Sequence, residues 1–468
     1  MGGLHAGRDG GARSRLLLAC AAWLVAATLA SAQGGPSPQV RRAIGAVERM
    51  LAASDEASLR SFAAEQLAPA YRDAFAAGAL DAHLGALREA ARDAFGDVRV
   101  MREPDGLHLT LSGRREAHFL LVLDEAGLIT RLELVRSGAA AAVEVPALDW
   151  PGLPAALREA EAAGFSGTVL ALHDGKEVLR AAYGMADRAT GRRTRLDDVY
   201  CIGSTPIDFT MAAVLLLEQR GKLSLADAIG KLLPGVPADK SGITLDQLMR
   251  GRSGLPDFHH VEGTDWDADL AWIDRDTAVA RILAQPLRFA PGSDRAHSHS
   301  GYVLLAAIVE RVAGQPYPEF LRTEILAPAG MTRTGFYGET LGLGRDDFAV
   351  GGGPQFVGLP NIPPNWGPTS WLVMGSGGMV STLGDMQRYH AAIDAGRILT
   401  GKWRERALAP GVAVAGSDRG YFLLRASDGK GSSVLLLANT DGRAETLDRL
   451  SRALARLVVP APSGDGGR

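Results

Sequence analysis

Two Asp-Gly pairs, far apart in the chain, constrain its fold most. Asp174-Gly175 lies between Gly167-Thr168-Val169-Leu170-Ala171-Leu172 and Glu177-Val178-Leu179-Arg180-Ala181-Ala182-Tyr183. Asp428-Gly429 lies between Gly420-Tyr421-Phe422-Leu423-Leu424 and Ser433-Val434-Leu435-Leu436-Leu437-Ala438-Asn439. A tight hairpin turn needs residues that tolerate positive φ, and Asp-Gly between strand-like runs supplies them. A helix from Leu153 to Ala163 precedes the first hairpin. After the second, Leu447, Leu450, Leu454 and Leu457 share one helix face. The order helix, hairpin, long helical middle, hairpin, helix predicts an α+β domain over residues 150–460.

A smaller module precedes it. From Val40 to Ala94 apolar residues recur at helical spacing, as in Ile44, Val47, Met50 and Leu51, with Ser54 and Asp55 as a break and cap. The period then changes. Val98-Arg99-Val100, Leu107–Leu111, Phe119–Leu123 and Ile129–Leu134 read as strands. Helices followed by an antiparallel meander make a small α+β module over residues 38–137. Ser137-Gly138-Ala139-Ala140-Ala141 reads as the linker beyond it.

The amino terminus reads as an export signal over residues 1–32. Arg8, Arg13 and Arg15 precede the apolar run Leu16–Ala30, and Ala30-Ser31-Ala32 offers small residues for cleavage before Gln33. The run is shorter than the roughly 20 residues of a membrane span. The expectation is a periplasmic or extracellular protein with no stable span after signal removal. Residues 461–468 read as a disordered tail. The net charge of −3 and the lack of a Lys/Arg block give no reason to expect nucleic acid as a partner. Of the two cysteines, Cys20 lies in the signal and Cys201 in an apolar run. Cys201 then has no intrachain partner and reads as a buried small hydrophobe.

The chemistry concentrates at Cys201-Ile202-Gly203-Ser204-Thr205-Pro206-Ile207-Asp208-Phe209-Thr210 and the following Leu215–Asp227 segment. This stretch resembles the nucleophile segment of the serine beta-lactamase and penicillin-binding-protein superfamily, closest to its class C and esterase-like branch. Further segments resemble that family in the right order: Ile243–Met249 leading to Ser253-Gly254-Leu255-Pro256-Asp257, Phe289-Ala290-Pro291-Gly292, Gly301–Tyr317, Ile325–Met331 and Gly375–Met386. The resemblance implies helices from both ends of the domain packed on one antiparallel sheet, and acyl transfer through Ser204. The smaller module resembles an NTF2-like cone domain, of the kind found beside beta-lactamase-like domains.

The resemblance also implies a lysine at Ile207, Tyr-x-Asn at His297-Ser298-His299, a histidine at Gly251, and His-x-Gly or Lys-Thr-Gly at Val414-Ala415-Gly416. All four positions depart from the family. A serine hydroxyl is a weak nucleophile until a base takes its proton, and Ile207 cannot do so. General acid–base help contributes about 10²–10⁴-fold. Ser204-Thr205-Pro206 also suits a plain helix start, with Ser204 as cap. The first expectation is therefore an inactive or severely impaired hydrolase homologue that binds a peptide, cell-wall fragment or protein partner. The alternative is an active serine hydrolase in which His297 replaces the base, with Asp294 or His299 orienting it. His297-x-His299, with His259 or His260, also has the residue types of a metal site, but no carboxylate spacing supports one, and neither metal nor cofactor is assigned. Lys430-Gly431-Ser432 superficially matches Lys-Thr-Gly but falls at a hairpin turn.

Overall fold

Asp174 and Gly175 both adopt positive φ, 49° and 74°, as a two-residue turn between right-twisted strands demands. The computed structural model describes residues 38–459, apart from 53–55, 77, 92–96, 104–105, 113–114, 140–147, 259–271, 353–358, 409, 418 and 440–443. The export signal, His259, His260 and the tail lie outside the described residues.

The smaller module comprises α1 (Pro38–Ala52), α2 (Glu56–Gln66), α3 (Pro69–Asp73) and α4 (Ala79–Ala91), then β1 (Asp97–Glu103), β2 (Gly106–Ser112), β3 (Arg115–Leu123) and β4 (Ile129–Ala139). The strands form one antiparallel meander in chain order. Ile44, Val47, Met50 and Leu84 from the helices close on Leu109, Phe119, Leu121 and Leu132 from the sheet. The expected linker begins later than the sequence implied. Ser137 and Ala139 belong to β4 and pair with Ala117 and Arg115. Ladder hydrogen bonds to β3 override the low strand preference of Gly and Ala.

The larger domain opens with α5 (Leu153–Ala162), β5 (Gly167–His173), β6 (Lys176–Tyr183), β7 (Met185–Asp187), β8 (Arg192–Arg193), β9 (Tyr200–Cys201) and α6 (Pro206–Gln219). The middle adds α7 (Ile229–Leu232), α8 (Leu245–Met249), α9 (Arg275–Ala284), α10 (His299–Ala313), α11 (Tyr317–Leu321), β10 (Gly335–Phe336), β11 (Met379–Ser381), α12 (Leu383–Asp394) and α13 (Gly401–Ala407). It closes with β12 (Gly411–Ser417), β13 (Tyr421–Ser427), β14 (Ser433–Asn439) and α14 (Ala444–Val458).

The two hairpins meet in one five-stranded antiparallel sheet of order β12-β13-β14-β5-β6. Leu435 pairs with Leu170 across the seam between the two ends of the domain. Alternation then divides the sheet. Val169, Leu424, Leu436 and Val434 pack under α5 and α14, whose Leu153, Leu157, Leu447, Leu450 and Leu454 are buried. Leu170, Leu423, Leu435 and Leu437 face the helical middle. Helices α6 and α10 are apolar on nearly all sides and lie inside that second layer, as helices without a polar face must. Each fully buried leucine there contributes about 1.5–3 kcal/mol.

Candidate active site

Ser204 sits where β9 turns into α6. Val380 and Ser381 of β11 pair with Cys201 and Tyr200 of β9, and Ile202 N–H donates to the Met379 carbonyl at 3.2 Å. The turn closes from Thr205 N–H to the Ile202 carbonyl at 3.1 Å. It bends at Gly203, which holds φ 52°. A Cβ on Gly203 would lie 2.6 Å from the Gly416 carbonyl oxygen, so only glycine lets the turn dock on β12. Half-buried Ser204 is thereby carried against the open edge of the sheet.

The cap expected at Ser204 does not form. The N-cap of α6 is Thr205, with no side-chain cap bond. The Ser204 hydroxyl is instead 3.1 Å from Nε2 of His299. Behind that ring, His299 Nδ1 lies 2.7 Å from Oδ2 of Asp257. The same oxygen accepts the His299 backbone N–H at 3.0 Å. Asp257 and His299 side chains are only 6% and 17% exposed, so water competes weakly with this chain of bonds. Phe258 covers the imidazole edge-on at 6.0 Å.

Two loops fold together to build this geometry. Ala296 N–H donates to the Gly251 carbonyl, Gly292 N–H to Arg252 and Arg288 N–H to Gly254, each at 2.8 Å. Ser298 Oγ reaches the Pro256 carbonyl at 3.2 Å. The strapped pair delivers Asp257 to the first residue of α10. A carboxylate at a helix N-terminus is favoured by the exposed N–H groups and the helix dipole, which accounts for its double contact with His299.

Several expectations from the sequence change here. His297 is not the residue bonded to Ser204. It precedes α10, is exposed, and packs edge-on against His299 at 4.6 Å. Partial loss of hydration holds its imidazole below the usual histidine range, with His299 and Arg295 adding and Asp257 opposing. Asp294 does not orient a histidine; its Oδ1 accepts the N–H of Arg295 at 2.7 Å. His299 is not an orienting residue behind another base, because its own Nε2 faces Ser204.

Gly251 is a structural glycine. Its φ is 67°, and a Cβ there would lie 2.5 Å from the Ala296 carbonyl oxygen. A histidine at that position would break the strap that places His299. Ile207, in the first turn of α6, packs against the apolar core and fills the family's lysine position with a methyl-rich side chain. Val414 is 55% exposed. It pairs with Leu424 and so shares the sheet face turned away from α6. Gly416 is the residue of that triplet in contact with the Gly203–Ser204 turn. Lys430 is exposed in the β13–β14 turn, at the opposite end of β12 from Gly416. Cys201 is buried, its Sγ 2.9 Å from the Tyr337 hydroxyl.

The site residue absent from the sequence expectations is Asp257. It was visible only as the end of Ser253-Gly254-Leu255-Pro256-Asp257. One signal pointed to it: a carboxylate between a candidate serine and a candidate histidine gives the order Ser, Asp, His, which also occurs among α/β-hydrolases.

The fold defines a domain of the beta-lactamase and penicillin-binding-protein type. The chain belongs to the Beta-lactamase family, whose model matches residues 155–435, more than half of its length. Penicillin-binding protein 4* of Bacillus subtilis is 29% identical over 255 residues, covering 53% of this chain and 56% of that protein. Esterase EstB of Burkholderia gladioli is 34% identical over 195 residues, covering 39% and 49% respectively. The chain thus spans about half the length of these curated relatives. The crystal structure of FmtA from Staphylococcus aureus superposes with a TM-score of 0.53 at 20% identity, covering 65% of this chain and 89% of that one. At that identity the likeness shows the fold.

Proposed function

We propose that the protein is a serine hydrolase that works through an acyl-enzyme on Ser204, with His299 as general base and Asp257 holding it. The observation that carries this reading is the continuous chain from Ser204 Oγ through both ring nitrogens of His299 to Asp257 Oδ2. Nδ1–H donated to a carboxylate leaves Nε2 as the acceptor for the serine proton. Loss of the family's lysine at Ile207 then removes one base while another stands in its place. This favours the active alternative over the impaired homologue.

The mechanism follows. Ser204 Oγ attacks the substrate carbonyl as His299 Nε2 takes its proton. Asp257 stabilises the imidazolium and does not itself accept the proton. The oxyanion would be met by the Ser204 backbone N–H at the entry to α6 and by an N–H from the free edge of β12 near Gly416. His299 returns the proton to the leaving alcohol or amine, then activates water to release the acid. Small esters and amides, including peptide or cell-wall fragments, are the substrate classes that suit this chemistry. The signal-like start of the chain supports the further reading that it acts outside the cytoplasm.

A fluorophosphonate probe tests the proposal. Ser204 should be labelled, and Ser204→Ala and His299→Ala should each abolish labelling while His297→Ala retains it. For p-nitrophenyl butyrate, His299→Ala should lower kcat/KM by about 10²–10⁴-fold. Absence of labelling in the native protein between pH 6 and 9 would return the site to an inactive relic.

A further inference from the structure

His297 has no part in that mechanism, yet it stands against it. One ligating atom each from Asp257, His297 and His299 lies within 4.8 Å of the other two. Asp257 is buried, His299 half-buried and His297 exposed, so the group runs from a buried carboxylate to an exposed imidazole. Two imidazoles and one carboxylate, with a fourth position left to water, are a set that zinc favours. Tetrahedral zinc with bonds of about 2.0–2.1 Å brings its ligands to roughly 3.4 Å from one another. The loop carrying His297 has only a short distance to close.

We propose that Asp257, His297 and His299 form an inhibitory Zn2+ site that switches the Ser204 nucleophile off. The switching role rests on the hydrolase reading above; the metal site itself does not. Either ring nitrogen of His299 gives the same outcome. At Nδ1 the ion displaces the proton shared with Asp257 and releases it to solvent, so the imidazole loses its orienting bond. At Nε2 it occupies the lone pair that would receive the Ser204 proton. His297 supplies affinity for the ion without touching the serine.

Two readouts on the full chain, freed of metal by a chelator, test this. The first is binding: calorimetry with Zn2+, and the visible absorption of Co2+ in its place. One Zn2+ per chain is expected. Ser204→Ala should bind it as the native protein does, and His297→Ala should bind it about tenfold or more weakly, as expected when a metal site loses support. The second is the rate of fluorophosphonate labelling at Ser204. Saturating Zn2+ should slow it by at least about tenfold, EDTA should restore it, and His297→Ala should blunt the effect. No Zn2+ binding, or binding indifferent to His297→Ala, overturns the site. Labelling that is unchanged or faster with Zn2+ bound overturns the inhibitory role. A native protein that is never labelled refutes the hydrolase reading and with it the inhibitory role, and the Co2+ spectrum alone then decides the site.

Discussion

Oδ2 of Asp257 lies 2.7 Å from His299 Nδ1 and 3.0 Å from the backbone nitrogen of the same residue. One oxygen therefore fixes both the first turn of α10 and the tilt of the imidazole. Ring orientation and helix start are coupled in this protein, and a change at Asp257 acts on both.

Asp257→Asn should separate the two roles. The amide oxygen still accepts the His299 backbone N–H, while the carboxylate charge that stabilises the imidazolium is gone. We expect kcat for p-nitrophenyl butyrate to fall by about 10²–10⁴-fold with KM little altered. Thermal unfolding should shift by no more than about 1 kcal/mol. Native kinetics in this variant would rule out Asp257 as the partner of His299.

Gly251→Ala should be costly although the change is one methyl group. A left-handed backbone costs an alanine about 1–2 kcal/mol, and the new Cβ would also meet the Ala296 carbonyl oxygen at 2.5 Å. Urea unfolding should show a loss of at least that size. Labelling of Ser204 should slow as well, because the strap from Gly251 to Ala296 places His299. A variant as stable as the native protein would show that the strap does not matter.

His390 should make the domain acid-sensitive. Its Nε2 is buried with no hydrogen-bond partner among the described residues. Burial, aided by Arg425, holds its pKa well below the usual value. The unfolded chain therefore binds the proton more readily, and stability falls as pH drops through the ordinary histidine range near 6.5. His390→Phe should remove that part of the slope. Urea midpoints at pH 8 and pH 5 measure it, and equal acid losses in both proteins would sink the assignment.

Asp208 works in the opposite sense. Burial raises its pKa, with Arg425 pulling the other way. The folded state then holds the proton more tightly than the unfolded chain, so stability declines as pH rises above the ordinary aspartate value toward the raised one. Asp208→Asn should raise the urea midpoint at pH 7 and give no gain near pH 3. Destabilisation at pH 7 would show that the Arg425 attraction outweighs burial.

Local signals in the sequence carried much of the fold. Asp174-Gly175 predicted its hairpin because positive φ is a property of a few residue types. Leu447, Leu450 and Leu454 predicted the buried face of α14 because helical period is read within one segment. Ser137 and Ala139 misled for the same reason: their own preferences say linker, and a neighbouring strand decides otherwise. At the site, Ser204 and the two histidines were legible as chemistry-bearing residues, whereas the choice between His297 and His299 was not.

By itself the sequence determined the order of elements, the two hairpins and the position of Ser204 ahead of a buried helix. All of these depend on residues close together in the chain. The tertiary structure decided that His299 meets Ser204, that Asp257 stands behind it, and that Gly251 is a strap. Those roles join residues from three separate loops over distances near 3 Å. They depend on how the 251–257 and 288–299 segments fold against each other through backbone hydrogen bonds, which no periodicity within either segment encodes.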